Sequence, residues 1–184
     1  MKIITDFGNR FKRIFLAIFV FFSVTQCSTM QLDQFQNKQP LLKLEEYFNG
    51  HTEARGVFED RFGNIKKSFK VDIHGTWDGK YLVLKEDFIY DDGTKDYREW
   101  KIEKIGNNQY QGFAPGVIGM AAGSTSGNAF NWKYDFDLPV GSSKYKVSFD
   151  DWMFLQDKTY LINIASMSKF GINIGKVILF FNKK

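Results

Sequence analysis

The sequence predicts an all-β domain, an antiparallel up-and-down barrel of about ten strands with a short helix before it. Three observations carry this. Beyond residue 50, apolar and polar side chains alternate in short runs, the period of a half-buried strand. Gly, Asn and Asp break the runs, as tight turns require. No stretch holds the 3.6-residue apolar spacing over the length of a helix.

Element by element, Pro40 marks the edge of the domain, and Leu41 to Phe48 reads as a short helix stopped at Asn49-Gly50. Strands are expected near 52–61, 65–74, 80–90, 94–105, 108–114, 117–123, 128–138, 144–155, 159–168 and 172–182. Consecutive strands joined by tight turns favour an up-and-down barrel.

Parity assigns the faces. In the seventh strand Phe130, Trp132, Tyr134, Phe136 and Leu138 share one side, opposite Asn131, Lys133, Asp135 and Asp137. In the second, Phe69, Val71 and Ile73 face in, which leaves Lys70, Asp72 and His74 outside; His74 reads as a solvated residue rather than a ligand or base.

The third and fourth strands each carry a charge on an apolar face. Glu86 lies among Leu82, Leu84, Phe88 and Tyr90, and Arg98 lies beside Trp100 and Ile102. Asp91-Asp92-Gly93 suits a three-residue hairpin loop with Gly93 left-handed. That loop sets Glu86 opposite Arg98 and Leu84 opposite Trp100. A lone interior charge would be very costly, so the two are expected to pair, either as a register-fixing salt bridge or as part of a ligand site. At Phe149-Asp150-Asp151-Trp152 the apolar parity changes, and a bulge at the two aspartates is expected there. The small-residue segment around Gly116, Gly119, Gly123 and Gly127 neither follows a parallel strand nor opens a helix, which argues against phosphate cradling.

The first 26 residues read as an export signal: a basic start, then an apolar region of eleven residues from Ile14 to Val24, interrupted only by Ser23. A spanning helix would need roughly 20. Val24-Thr25-Gln26-Cys27 resembles a bacterial lipobox, although Gln26 stands where a small residue is usual. That resemblance implies cleavage before Cys27 and acylation of its thiol by chains such as palmitate. Ser28, in place of Asp, implies sorting to the outer membrane, on its periplasmic side. The expected organisation is therefore a signal peptide over 1–26, a lipidated tether over 27–40 and a single barrel over 41–184.

Composition narrows the function. Loss of 1–26 removes Lys2, Arg10, Lys12, Arg13 and Asp6, so the formal charge falls from +4 to +1 and the electrostatic footprint of nucleic-acid binding disappears. Cys27 is the only cysteine, which excludes an intrachain disulfide and a cysteine metal site. With two histidines, His51 and His74, no metal or other cofactor is expected.

The motifs FEDRFG (58–63), HGTWDG (74–79), EDFIYDDG (86–93) with REW (98–100), GNAFNWKY (127–134), DDWM (150–153) and SKFG (168–171) together resemble the DUF3833 family, bacterial lipoproteins of no established activity. Gly75-Thr76-Trp77 is more loosely similar to the Gly-x-Trp signature of lipocalin-like, or calycin, barrels. The family resemblance also implies a genetic association with fatty-acyl modification, and acidic residues near the places held here by Gly116 and Met120.

Three functions follow as expectations. The first is a barrel that binds a fatty acid, phospholipid or other apolar small molecule, using Glu86, Arg98, Trp100, Trp132, Tyr134 and Trp152. The second is a structural lipoprotein with a filled barrel and a partner on its outer face, suggested by Ile174, Val177, Ile178, Leu179, Phe180 and Phe181, apolar on both faces of the last strand. The third, an enzyme built on Glu86, Arg98 and Asp151, has no nucleophile with its base and no metal cluster behind it, so no catalytic residue is assigned.

Overall fold

A computed structural model of the chain describes residues 30–184. The expected signal segment and Cys27 lie outside the described residues. Ten strands follow in chain order: β1 (Gly50–Asp60), β2 (Ile65–Trp77), β3 (Tyr81–Tyr90), β4 (Lys95–Lys104), β5 (Gln109–Phe113), β6 (Val117–Ser126), β7 (Ala129–Val140), β8 (Ser143–Leu155), β9 (Tyr160–Lys169) and β10 (Ile172–Lys183). Each pairs antiparallel with the next, and β10 returns to β1, so the sheet closes into a barrel. The expected fold class holds, and the expected strand ends differ from the observed ones by three residues at most.

The expected helix is shorter than read. It forms only over α1 (Leu44–Phe48), five residues with no side-chain cap at Lys43. So short a helix has no stability of its own, and tertiary contacts hold it. Leu44, Tyr47 and Phe48 are buried, Phe48 edge-on to Phe181 with centroids 5.6 Å apart. The Lys183 ammonium donates to the carbonyls of Glu46, Tyr47 and Asn49 at 2.8, 2.5 and 3.0 Å, satisfying the carbonyls that every helix end leaves unpaired. Gly75 makes the fit possible, because a Cβ there would lie 1.7 Å from the Phe48 carbonyl oxygen.

α1 thus plugs one end of the barrel. Below it, Leu82, Ile102, Tyr110, Phe130, Leu161 and Phe181 form a fully buried layer. Toward the other end the inward side chains Phe69, Tyr90, Tyr134, Phe136 and Phe149 are only half-buried. That end is a mouth. A 3-10 turn, Leu32–Phe35, lies against the outside of the wall, with the Phe35 ring 6.0 Å from Trp152 and 5.3 Å from Phe154.

One local expectation is corrected. β8 has no bulge at Asp150-Asp151: it pairs without a break with β7 from Phe154 to Ser143 and with β9 from Ser148 to Leu155. Alternation therefore continues through the aspartates, turning Asp151 inward and Trp152 outward. Register shifts lie elsewhere: at Phe58/Glu59 in β1, at Asn173/Gly175 in β10 and, most extensively, in β6, whose pairing with β7 shifts between Ile118 and Ala122, with Gly119 at a φ of 72°. Over that stretch the wall loses rungs. Among the described residues no helix is long and apolar enough to cross a membrane.

Candidate functional site

The β3–β4 hairpin positions the central charges as its loop dictates. The Tyr90 amide donates to the Thr94 carbonyl at 2.9 Å, Gly93 has a φ of 79°, and the register sets Glu86 against Arg98 and Leu84 against Trp100. Both charged side chains are half-buried, midway between plug and mouth.

The expected ion pair does not form. No nitrogen–oxygen contact of 4.0 Å or less joins Glu86 and Arg98. The Arg98 guanidinium sits instead between two rings, 5.3 Å from the centroid of Phe88 and 5.5 Å from that of Phe136. Cation–π attraction of this kind contributes about 0.5–2 kcal/mol per ring, which competes well with a partly solvated ion pair. Glu86, left without a hydrogen-bonding partner, responds by holding its proton. Burial pushes its carboxyl up to about 7, and the nearby Arg98 charge pulls only part of the way back.

Asp151 joins them from across the barrel. It is buried, and the Asn163 side-chain amide donates to its carboxylate while also donating to the Trp152 carbonyl at 3.1 Å. Burial again dominates and pushes Asp151 up to about 7; the Asn163 hydrogen bond lowers it, and the negative fields of Asp150 and Glu86 raise it. Tyr134 lies in the same field, its hydroxyl pushed well above the ordinary phenol range, first by burial and then by Asp151. Midway down the barrel the described residues therefore gather the Arg98 cation, two carboxyls poised between charged and neutral near pH 7, and the neutral phenol of Tyr134.

The tryptophans divide. Trp100 and Trp132 are buried and meet edge-on at 5.8 Å, with Tyr134 set 5.4 Å from Trp100. Gly123 and Gly112 make room for Trp132, whose ring atoms a Cβ would approach to 2.4 and 3.0 Å. These two rings fill the middle of the barrel and form a floor beneath Arg98. Trp152, expected in the lumen, faces outward under Phe35, because the unbroken β8 alternation leaves it no other side. Asp151 and Asn163 were missed as a pair: an inward carboxylate needs a donor, and the donor lies on β9, beyond any local pattern.

Two grooves lie toward the mouth side, both lined mainly by outward-facing residues. A groove of about 660 Å³ takes in Gly56, Phe69 and Tyr90 of the inner parity as well as outer residues of β1, β2 and β10. A second of about 420 Å³, beside the lost rungs of β6, takes in Tyr134 and Phe149, whose rings stack at 4.9 Å. Both volumes fall within the usual range for small-molecule sites. Neither takes in Glu86, Arg98, Trp100 or Trp132.

Comparison with known proteins places the chain. The family model described as a protein of unknown function, DUF3833, matches residues 21–183. The chain belongs to the DUF3833 family. Among curated proteins none matches it. In solved structures this DUF3833 member is similar to the S-type phycobiliprotein lyase CPES from Guillardia theta, at 7% identity and a TM-score of 0.57, over 85% of this chain and 98% of that one. A designed fluorescence-activating β-barrel gives a TM-score of 0.44 at 11% identity, over 78% of this chain and all of the design. The lyase likeness is one of fold, a lipocalin-like barrel.

Proposed function

We propose that this DUF3833 protein is a lipoprotein, acylated at Cys27 and held at the periplasmic face of the outer membrane, whose barrel binds a single-chain lipid or similar apolar small molecule. The observation that carries the binding half is the Arg98 guanidinium: it lies inside the barrel between Phe88 and Phe136 and makes no ion pair with the carboxylate opposite. A cation so placed offers a polar head a charged hydrogen-bond donor, and Phe69, Phe88, Tyr90 and Phe136 give the chain of the ligand an aromatic collar. Trp100 and Trp132 act as the floor that sets the depth of entry. The similarity to a phycobiliprotein lyase supports a barrel built around a small molecule and goes no further. The anchor half rests on the lipobox-like Val24-Thr25-Gln26-Cys27 at the end of an apolar region, 14–24, interrupted only by Ser23.

The test has two arms. Lipid is extracted from purified protein and identified by mass spectrometry, and a fluorescent fatty acid is titrated against residues 28–184 and its Arg98→Gln variant. Saturable binding weakened about tenfold or more in the variant supports the reading. Absence of both extracted lipid and saturable binding rejects it in favour of a filled barrel with an outside partner. Cells carrying Cys27→Ala and fed an alkyne fatty acid test the anchor: labelling should vanish and the protein should leave the membrane fraction.

A further inference from the structure

The chain has two histidines, and the fold brings both to one point on the outside of the barrel. His51 begins β1 and His74 lies near the end of β2; the two residues are direct cross-strand partners. Their rings stack with centroids 4.8 Å apart and planes within 8°. Asp72, two residues before His74 and therefore on the same face, places one carboxylate oxygen 3.1 Å from the Nε2 of His51 and the other 2.9 Å from the Nε2 of His74. The three candidate ligand atoms lie within 4.8 Å of one another. All three side chains reach solvent, with 36%, 47% and 63% of the side-chain surface of His51, Asp72 and His74 exposed.

We infer that His51, Asp72 and His74 form a surface binding site for a divalent transition-metal ion. Two imidazoles and one carboxylate are the donor set that suits Zn²⁺, Cu²⁺ and Ni²⁺, and they leave coordination positions for water. Tetrahedral zinc at bond lengths of about 2.1 Å needs ligand atoms roughly 3.4 Å apart. The present spacing is within a side-chain rotation of that, and the exposure of all three groups leaves them room to turn. The backbone supplies the preorganisation. Strand pairing fixes His51 against His74, and Glu53, the cross-strand partner of Asp72, adds a second carboxylate alongside, held 2.9 Å from the Lys184 ammonium. The site is separate from the barrel interior and does not depend on the lipid reading.

The composition makes the test clean, because every histidine of the chain belongs to the site. Full-length protein carrying no histidine tag, in an uncharged detergent and stripped with a chelator, is titrated with Zn²⁺ by calorimetry and with Cu²⁺ by electron paramagnetic resonance. One ion per chain is expected, with nitrogen hyperfine structure from two imidazoles in the Cu²⁺ spectrum. His51→Ala and His74→Ala should each weaken binding by about tenfold or more, while circular dichroism stays that of the parent. Asp72→Asn should weaken it while both nitrogens stay in the spectrum. Unsaturable binding, an affinity unchanged in the double histidine variant, or a Cu²⁺ spectrum without two nitrogens would overturn the assignment and leave the cluster as a hydrogen-bonded surface triad.

Discussion

Glu86 and Arg98 face each other across β3 and β4 and yet do not pair: the arginine lies between Phe88 and Phe136, and the glutamate carboxyl is driven toward its neutral form. Breaking a buried ion pair by removing one partner costs about 3–5 kcal/mol. Because no such pair exists here, Arg98→Ala should cost less, about 2 kcal/mol or below, mostly from lost ring contacts. Urea unfolding of the parent and the variant measures the difference; a loss in the higher range would mean that the pair forms in solution.

Ligand affinity should depend on pH through the same group. Burial pushes Glu86 and Asp151 up to about 7, so below that pH these two carboxyls are neutral and no longer oppose the Arg98 charge. A long-chain fatty acid should therefore bind more tightly at pH 6 than at pH 8, and Glu86→Gln should flatten part of that dependence. Fluorescence titrations at the two pH values check it.

Asp151 should also make the fold less stable as pH rises. Its carboxyl titrates near 7 in the folded chain and near 3.8 when unfolded, so the native state holds the proton more tightly. The associated stability is fully present below about pH 4 and is lost as pH climbs through 7. Between pH 5 and pH 8 the parent should lose on the order of 2–4 kcal/mol from this group, and Asp151→Asn should remove most of that loss. Denaturation at the two pH values, parent against variant, provides the measurement.

Gly75→Ala should unseat the plug. The added methyl would stand 1.7 Å from the Phe48 carbonyl oxygen, a backbone atom that cannot swing away. Overpacking of this kind costs about 1–3 kcal/mol or more. The melting temperature should fall, and the tyrosines beneath α1 should become more accessible to a fluorescence quencher.

Trp152→Ala separates the two faces of the wall. Trp152 lies outside, against Phe35 and Phe154. The variant should loosen the 3-10 turn, seen as faster protease cleavage before residue 40, while fatty-acid affinity stays within about twofold of the parent. A large loss of affinity would place Trp152 at the ligand after all.

Much of this architecture was legible in the sequence because it depends on local rules. The parity of Phe130, Trp132 and Phe136 tells a strand its faces, and Asp91-Asp92-Gly93 fixes the Glu86–Arg98 register by loop length alone. What escaped depends on partners remote in sequence. Asp151 looked like a bulge because an inward carboxylate breaks the apolar pattern, and only Asn163 on the next strand explains how the barrel tolerates it. The missing ion pair followed from Phe136, four strands from Glu86. The meeting of His51 with His74 needed the β1–β2 register, which the turn over 61–64 did not announce.

Closure of the barrel also has a temporal side. Nine of the ten pairings among the described residues join neighbours in the chain and can zip as successive hairpins; only β1 with β10 ties residues near 55 to residues near 180. That one ladder spans nearly the whole domain, so it pays the loop-closure entropy of the fold and completes last. Until then β1 and the growing sheet each present an unpaired edge able to pair with another chain. A chain made from its N-terminus carries its first strand open until its last one arrives, which makes the interval before β10 emerges the point at which a chaperone is most needed.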